Sequence, residues 1–99
     1  MQIQIESRHM KVTEAISNHI HKRVDNLTKY FDGILNIHVV LNVENHNQQI
    51  AEIVCAVIKH EPLVARSTHD DLYNAIDEAA QKMKVHLVHH KEKQRSHKK

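Results

Sequence analysis

Lys82, His86, His89 and Lys93 recur at three- and four-residue spacing, so at about 100° per residue they stand along one side of a helix. A row of ammonium and imidazole groups attracts anions, and a polyanion can touch all of them. His86 and His90, four apart, could in principle chelate a metal. The glutamate of a metalloprotease helix is missing, however, and no third ligand is suggested, so a solvated or RNA-facing role fits the pair better. Asp70 with Asp71, and Asp77 with Glu78, are acidic pairs of the kind used in acid–base chemistry, but their place in the first turns of the same helix makes capping and dipole compensation the better account. Cys55 stands alone in an apolar run, which predicts a buried structural thiol and no disulfide within the chain. Gly33 is the single glycine, too few for a loop that wraps phosphate with backbone amides. No enzyme, cofactor, metal centre or small-molecule substrate is expected.

The helix that carries the basic row runs from Asp70 to Lys93. Leu72, Ile76, Ala79, Ala80, Met83 and Leu87 form its apolar stripe, which must be buried, and Asp70 is the expected cap. An earlier helix over residues 14–31 is predicted by Ile16, Ile20, Val24, Leu27 and Phe31, with Thr13 as N-cap and a stop before Gly33. Beside its stripe lie His19, Lys22, Arg23, Asn26 and Lys29, a mostly basic flank that, taken alone, reads as an ordinary solvated face.

Strands occupy the rest. Gln2–Glu6 alternates polar and apolar, Leu35–Val43 alternates more strictly, and Ile50–Ile58 is apolar on both parities, as an interior strand would be. Asn45–Gln48 is a polar connector, Glu61-Pro62 breaks the third run, and Leu63–Ser67 is a short fourth strand. Two amphipathic helices need one apolar sheet face to cover. The order therefore predicts an α+β two-layer sandwich, β-α-β-β-β-α, with both helices on one face of a four-stranded mixed sheet: a parallel crossover, then an antiparallel meander. Residues 1–93 form one domain, and 94–99 are expected to be a basic disordered tail.

Charge is distributed unevenly. The chain's formal +2 combines +6 over residues 82–99 with −4 over residues 1–81. A concentrated basic end suits RNA or DNA, although a frayed solvated tail would look the same in composition. The 11 histidines would take the formal charge from +2 to +13 on full protonation, so polyanion binding is expected to strengthen near pH 6. With Tyr30, Phe31 and Tyr73 the only aromatics, the sheet lacks a platform for stacking single-stranded bases, and contacts to phosphate from the helix flanks remain. No apolar stretch of about 20 residues predicts a membrane span, the start does not read as a secretory signal, and a cytoplasmic location is expected.

Ser7-Arg8-His9-Met10-Lys11-Val12-Thr13 before the first helix and Asp71-Leu72-Tyr73-Asn74-Ala75-Ile76-Asp77 opening the second, together with the order of elements, resemble the short ribosome hibernation promoting factors. The resemblance implies a β-α-β-β-β-α fold related in shape to double-stranded RNA binding domains. It also implies binding to the small ribosomal subunit, on 16S ribosomal RNA in the mRNA and tRNA channel, and inactive ribosome dimers in stationary phase. The implied partner is a separate ribosome modulation factor. By the same resemblance, RNA contacts fall on Arg23 and Lys29 of the first helix and on Lys82, His89 and Lys93 of the second. Asn26 and Val85 depart from basic residues common in the family, so by the resemblance those two contacts are either lost or supplied by Lys22 and Lys84 instead. His86 joins the set as part of the basic row. No acidic C-terminal extension or second domain is read in the sequence, which is why the short form is the expected relative.

Overall fold

Leu35–Val43, the most regular alternation in the sequence, becomes the centre of the longest strand. The computed structural model describes residues 2–45 and 47–96, with Arg95 and Ser96 described by their backbone alone. Its strands are β1 (Gln2–Arg8), β2 (Ile34–Asn45), β3 (Gln48–Val57) and β4 (Leu63–His69), and its helices are α1 (Glu14–Asp25) and α2 (Leu72–Ser96). The sheet order is β1-β2-β3-β4, with β1 parallel to β2 and the other neighbours antiparallel. This is the predicted α+β architecture. His46, within the expected connector, and residues 97–99 of the expected tail lie outside the described residues.

Register puts Ile5, Val39, Ile53 and Ala65 in one row across the four strands, and Ile3, Ile37, Cys55 and Leu63 in the next. One face therefore carries a continuous apolar band, because side chains two apart point the same way. Ile37, Val39, Ile53 and Cys55 are buried there in a single cluster with Ile20 and Val24 of α1 and Ile76, Ala79, Met83 and Leu87 of α2. Both helices accordingly lie on that face, each fully buried Ile or Leu contributing about 1.5–3 kcal/mol. The opposite face carries Glu6, His38, Glu52 and Arg66 among Val40, Val54 and Val64, and Ile50 also points there while remaining buried. Burial pushes the Cys55 thiol up to about 12, which makes it chemically inert at neutral pH.

Thr13 caps α1 as expected, its Oγ1 accepting from the Ile16 amide at 3.2 Å. The helix then ends earlier than the stripe predicts, and Asn26–Lys29 form a 3-10 turn. Polar side chains explain the change: Asn26 Nδ2 donates to the Lys22 carbonyl at 3.2 Å and Thr28 Oγ1 to the Asp25 carbonyl at 3.0 Å, taking acceptors that a continuing helix would use. Leu27 and Phe31 stay buried all the same. Gly33 has a packing reason to be glycine. A Cβ at this position would lie 2.6 Å from Phe31 Cζ, so the ring rests against bare backbone.

At α2 the cap is Asp71, not Asp70. Asp71 Oδ1 accepts from the Tyr73 amide at 2.9 Å, whereas Asp70 Oδ1 accepts from His69 Nδ1 at 2.8 Å and its carbonyl accepts from Gln49 Nε2. Asp77 and Glu78 sit beyond the first turn, so dipole compensation is not their role; each reaches a neighbouring element instead. The helix also continues past Lys93, and residues 94–96, expected in a disordered tail, are helical.

Candidate nucleic-acid interface

α1, with the segment that continues it to Phe31, runs in the same direction as α2, since His19 meets Asp77, Tyr30 meets Lys84 and Phe31 meets His90 in rising order along both segments. Their pairing is electrostatic as well as apolar. Asp77 Oδ1 accepts from His19 Nε2 at 2.7 Å and from Arg23 Nε at 2.8 Å, and the His19 ring stands edge-on to Tyr73 at 5.0 Å. Because a carboxylate only accepts, Nε2 is the protonated nitrogen of His19. Farther along, Lys84 Nζ lies 5.0 Å above the Tyr30 ring, a cation–π contact. Arg23, Asn26, Tyr30, Asp77, Gln81 and Lys84 border a groove of about 210 Å³ between the helices.

A second hollow, of about 340 Å³, lies on the other side of α2. It is bordered by His86, His89, His90 and Lys93, by His60 from the β3–β4 turn, and by Leu63 at the start of β4. Lys82, on the same flank, donates from Nζ to the Arg66 carbonyl of β4 at 2.9 Å, so its head is directed along the sheet edge. Glu78 ties this flank to β4 as well: its Oε2 accepts from Ser67 Oγ at 3.0 Å and lies 3.8 Å from His69 Nε2.

The eight residues expected at the interface thus separate. Arg23 and Lys84 share the interhelical groove; His86, His89 and Lys93 share the cleft beyond α2; Lys82 is bonded to β4 beside that cleft. Lys22 and Lys29 are exposed on the first helical segment and border neither hollow. These side chains form two basic margins with α2 between them, not one continuous surface. Lys82 and Lys84 differ by two positions, about 200° around the helix, and therefore face opposite flanks.

Another correction concerns His90, anticipated to be solvated or RNA-facing. It is buried, edge-on to Phe31 at 4.9 Å and to His60 at 4.7 Å, and its Nε2 accepts from Gln94 Nε2 at 3.2 Å. Burial, then the neighbouring His60 and Lys93, lower its pKa below the usual histidine value. The signal was present in the sequence, since His90 follows Leu87 by three and continues the apolar stripe. Asp77, Tyr30 and His60 carried no comparable signal, because their roles come from elements remote in the chain. Among the described residues no group of three or more His, Cys, Asp or Glu side chains is placed to hold a metal ion, and no helix is long and apolar enough to cross a membrane.

Residues 3–95 match the family described as sigma 54 modulation protein / S30EA ribosomal protein. Over 94 residues the chain is 33% identical to the ribosome hibernation promoting factor of Azotobacter vinelandii, covering 95% of this chain and 86% of that protein. It is likewise 33% identical over 96 residues to the factor of the same name from Pseudomonas putida, covering 97% and 92% of the two chains. The crystal structure of the Thermus thermophilus Protein Y N-terminal domain is similar with a TM-score of 0.81 at 27% identity, covering 91% of this chain and 99% of that one.

Proposed function

Because the chain belongs to the sigma 54 modulation protein / S30EA ribosomal protein family, we propose that it is a cytoplasmic, non-enzymatic hibernation factor that binds ribosomes and silences translation. Its docking target is the small subunit, where the domain occupies the mRNA and tRNA channel on 16S ribosomal RNA. There it favours inactive ribosome dimers in stationary phase, acting with a ribosome modulation factor. The observation that carries the proposal is the pair of basic margins beside α2, Arg23 with Lys84 on one side and His86, His89 and Lys93 on the other. Lys22, Lys29 and Lys82 extend the positive field around them. A folded RNA offers phosphates at many angles, and two margins separated by one helix diameter, about 10 Å, can meet phosphates on adjacent strands. Sequence readout is not needed for such docking; shape and charge suffice.

Co-sedimentation with purified small subunits through sucrose tests this reading. The wild-type chain is expected to pellet with the subunits, and replacement of Arg23, Lys29, Lys82 and Lys93 by alanine is expected to abolish pelleting while circular dichroism stays that of the folded domain. Undiminished pelleting of that variant removes the proposed surface. Binding a free RNA duplex as tightly as the subunit points instead to a general structured-RNA binder.

A further inference from the structure

The cleft between α2 and the β3–β4 turn gathers four imidazoles and one ammonium group around about 340 Å³, with no carboxylate among its described lining residues. The turn presents His60 through Lys59, whose backbone is left-handed at φ 55°, a conformation that needs support from its surroundings in a non-glycine residue. His60 Nδ1 lies 2.8 Å from the Glu61 carbonyl oxygen. A carbonyl only accepts, so Nδ1 carries the proton and Nε2 is the atom that gains one in acid. While unprotonated, Nε2 presents a lone pair that repels phosphate oxygen; once protonated, it donates to it.

His90 forms the floor, and its environment differs from that of the others. It is buried, and accepting from Gln94 Nε2 requires the lone pair on its own Nε2. Taking up a proton is therefore harder for it than for an ordinary histidine. His60, His86 and His89 are exposed, so water can solvate their charged forms. The charged groups around them are Lys93 and the neighbouring Lys91 and Glu92 on α2, with Lys59 and Glu61 beside His60 in the turn, while Phe31, packed from below, brings no charge.

We propose that this cleft is an acid-strengthened phosphate site, in which the cationic forms of His60, His86 and His89 join Lys93 around one phosphodiester of bound RNA. The inference rests on the RNA-binding reading above and assigns its pH response to one place. His60 comes from a turn about 25 residues earlier in the chain than the α2 histidines, which is why no helical spacing points to it. Other exposed histidines, His9 and His21 among them, are not part of the site.

Two measurements on the intact chain test it separately from the ribosome reading. Inorganic phosphate titrated near pH 6 is expected to shift the imidazole Cε1–H resonances of His60, His86 and His89 saturably, leaving those of His9 and His21 in place. Affinity for small subunits at constant salt is expected to rise about fivefold between about pH 7.5 and about pH 6, the gain if binding lifts one imidazole's pKa by one unit. In H60Q/H86Q/H89Q that ratio is expected to fall toward one, whereas H21Q keeps it. Equal shifts at every histidine, no shift at any, or an undiminished ratio in the triple variant overturns the proposal. So does stoichiometric zinc uptake that abolishes the phosphate response, which makes the cleft a metal site. A phosphate response without subunit binding supports the site and removes ribosomal RNA as its source of phosphate.

Discussion

Arg23 Nε and His19 Nε2 converge on one carboxylate oxygen, Asp77 Oδ1, at 2.8 and 2.7 Å. A single acidic side chain on α2 thereby fastens two successive turns of α1 and engages Nε of a guanidinium that remains half exposed to solvent. The proposed docking and the helix pairing draw on the same arginine.

Replacing Asp77 with asparagine separates the two uses. The side chains are partly exposed, so the ion pair is screened and the loss of stability is expected to be modest, about 1 kcal/mol in urea unfolding. Affinity for small subunits is expected to rise several-fold, since one negative charge leaves the groove and Arg23 is released. Weaker subunit binding in a folded D77N chain would show that Asp77 positions Arg23 for docking instead of restraining it.

Gly33 and Phe31 make a second coupling. Adding a methyl group in G33A forces the Phe31 ring away from a contact of 2.6 Å, and that ring is wedged edge-on against His90. Overpacking of this kind costs about 1–3 kcal/mol. Chemical denaturation is expected to show that loss, with the imidazole resonance of His90 displaced; an unchanged midpoint would mean that Phe31 moves aside freely.

His90 makes stability depend on pH in a definite direction. Its pKa is lowered in the folded chain, so the unfolded chain takes up the proton more readily. Its contribution is therefore fully present above the unfolded value, about 6.5, and is lost as pH falls through the lower folded value. The urea midpoint of the wild type is expected to fall between about pH 7.5 and about pH 5.5, and H90F is expected to lose less over the same interval. An identical fall in both would assign the acid sensitivity to other groups.

Salt provides the test of electrostatic docking. If about six phosphates are neutralised, affinity for the small subunit should fall by a factor on the order of 10³ between 50 and 200 mM monovalent salt on duplex-type estimates. Removing Lys93 or Lys84 singly is expected to reduce the slope of log affinity against log salt by about one. A slope near zero would leave shape and apolar contact as the basis of binding.

Much of the architecture is legible in the residues. Alternation identifies Ile37, Val39 and Leu41 as the buried face of β2, and the spacing of Leu72, Ile76, Met83 and Leu87 identifies the buried stripe of α2; these enter the core as expected, whereas Leu35, expected on the same face, is exposed where the β2–β3 register shifts between Ile34 and Asn36. Thr13 is legible as a cap because capping is local. The choice between Asp70 and Asp71 is not, since adjacent aspartates are equivalent in sequence until His69 and Gln49 engage the first of them. His90 was legible as a stripe position, but its chemical type suggested water, and only Phe31, His60 and Gln94 around it show why it is buried.

By itself the sequence determines which side of each strand and helix must leave water, because a period of two or 3.6 residues leaves one apolar side per element. It also settles the caps and turns whose partners lie within a few residues. What only the tertiary structure decides is the identity of α2's two neighbours: the flank with Asp77 and Lys84 faces α1, and the flank with Lys82, His86 and Lys93 faces β4 and the β3–β4 turn. A helical wheel has two flanks beside its stripe and no means of ranking them. The path of the chain through the sheet assigns a neighbour to each, leaving the row of Lys82, His86, His89 and Lys93 together beside β4 and placing Lys84 with Arg23 on the α1 side.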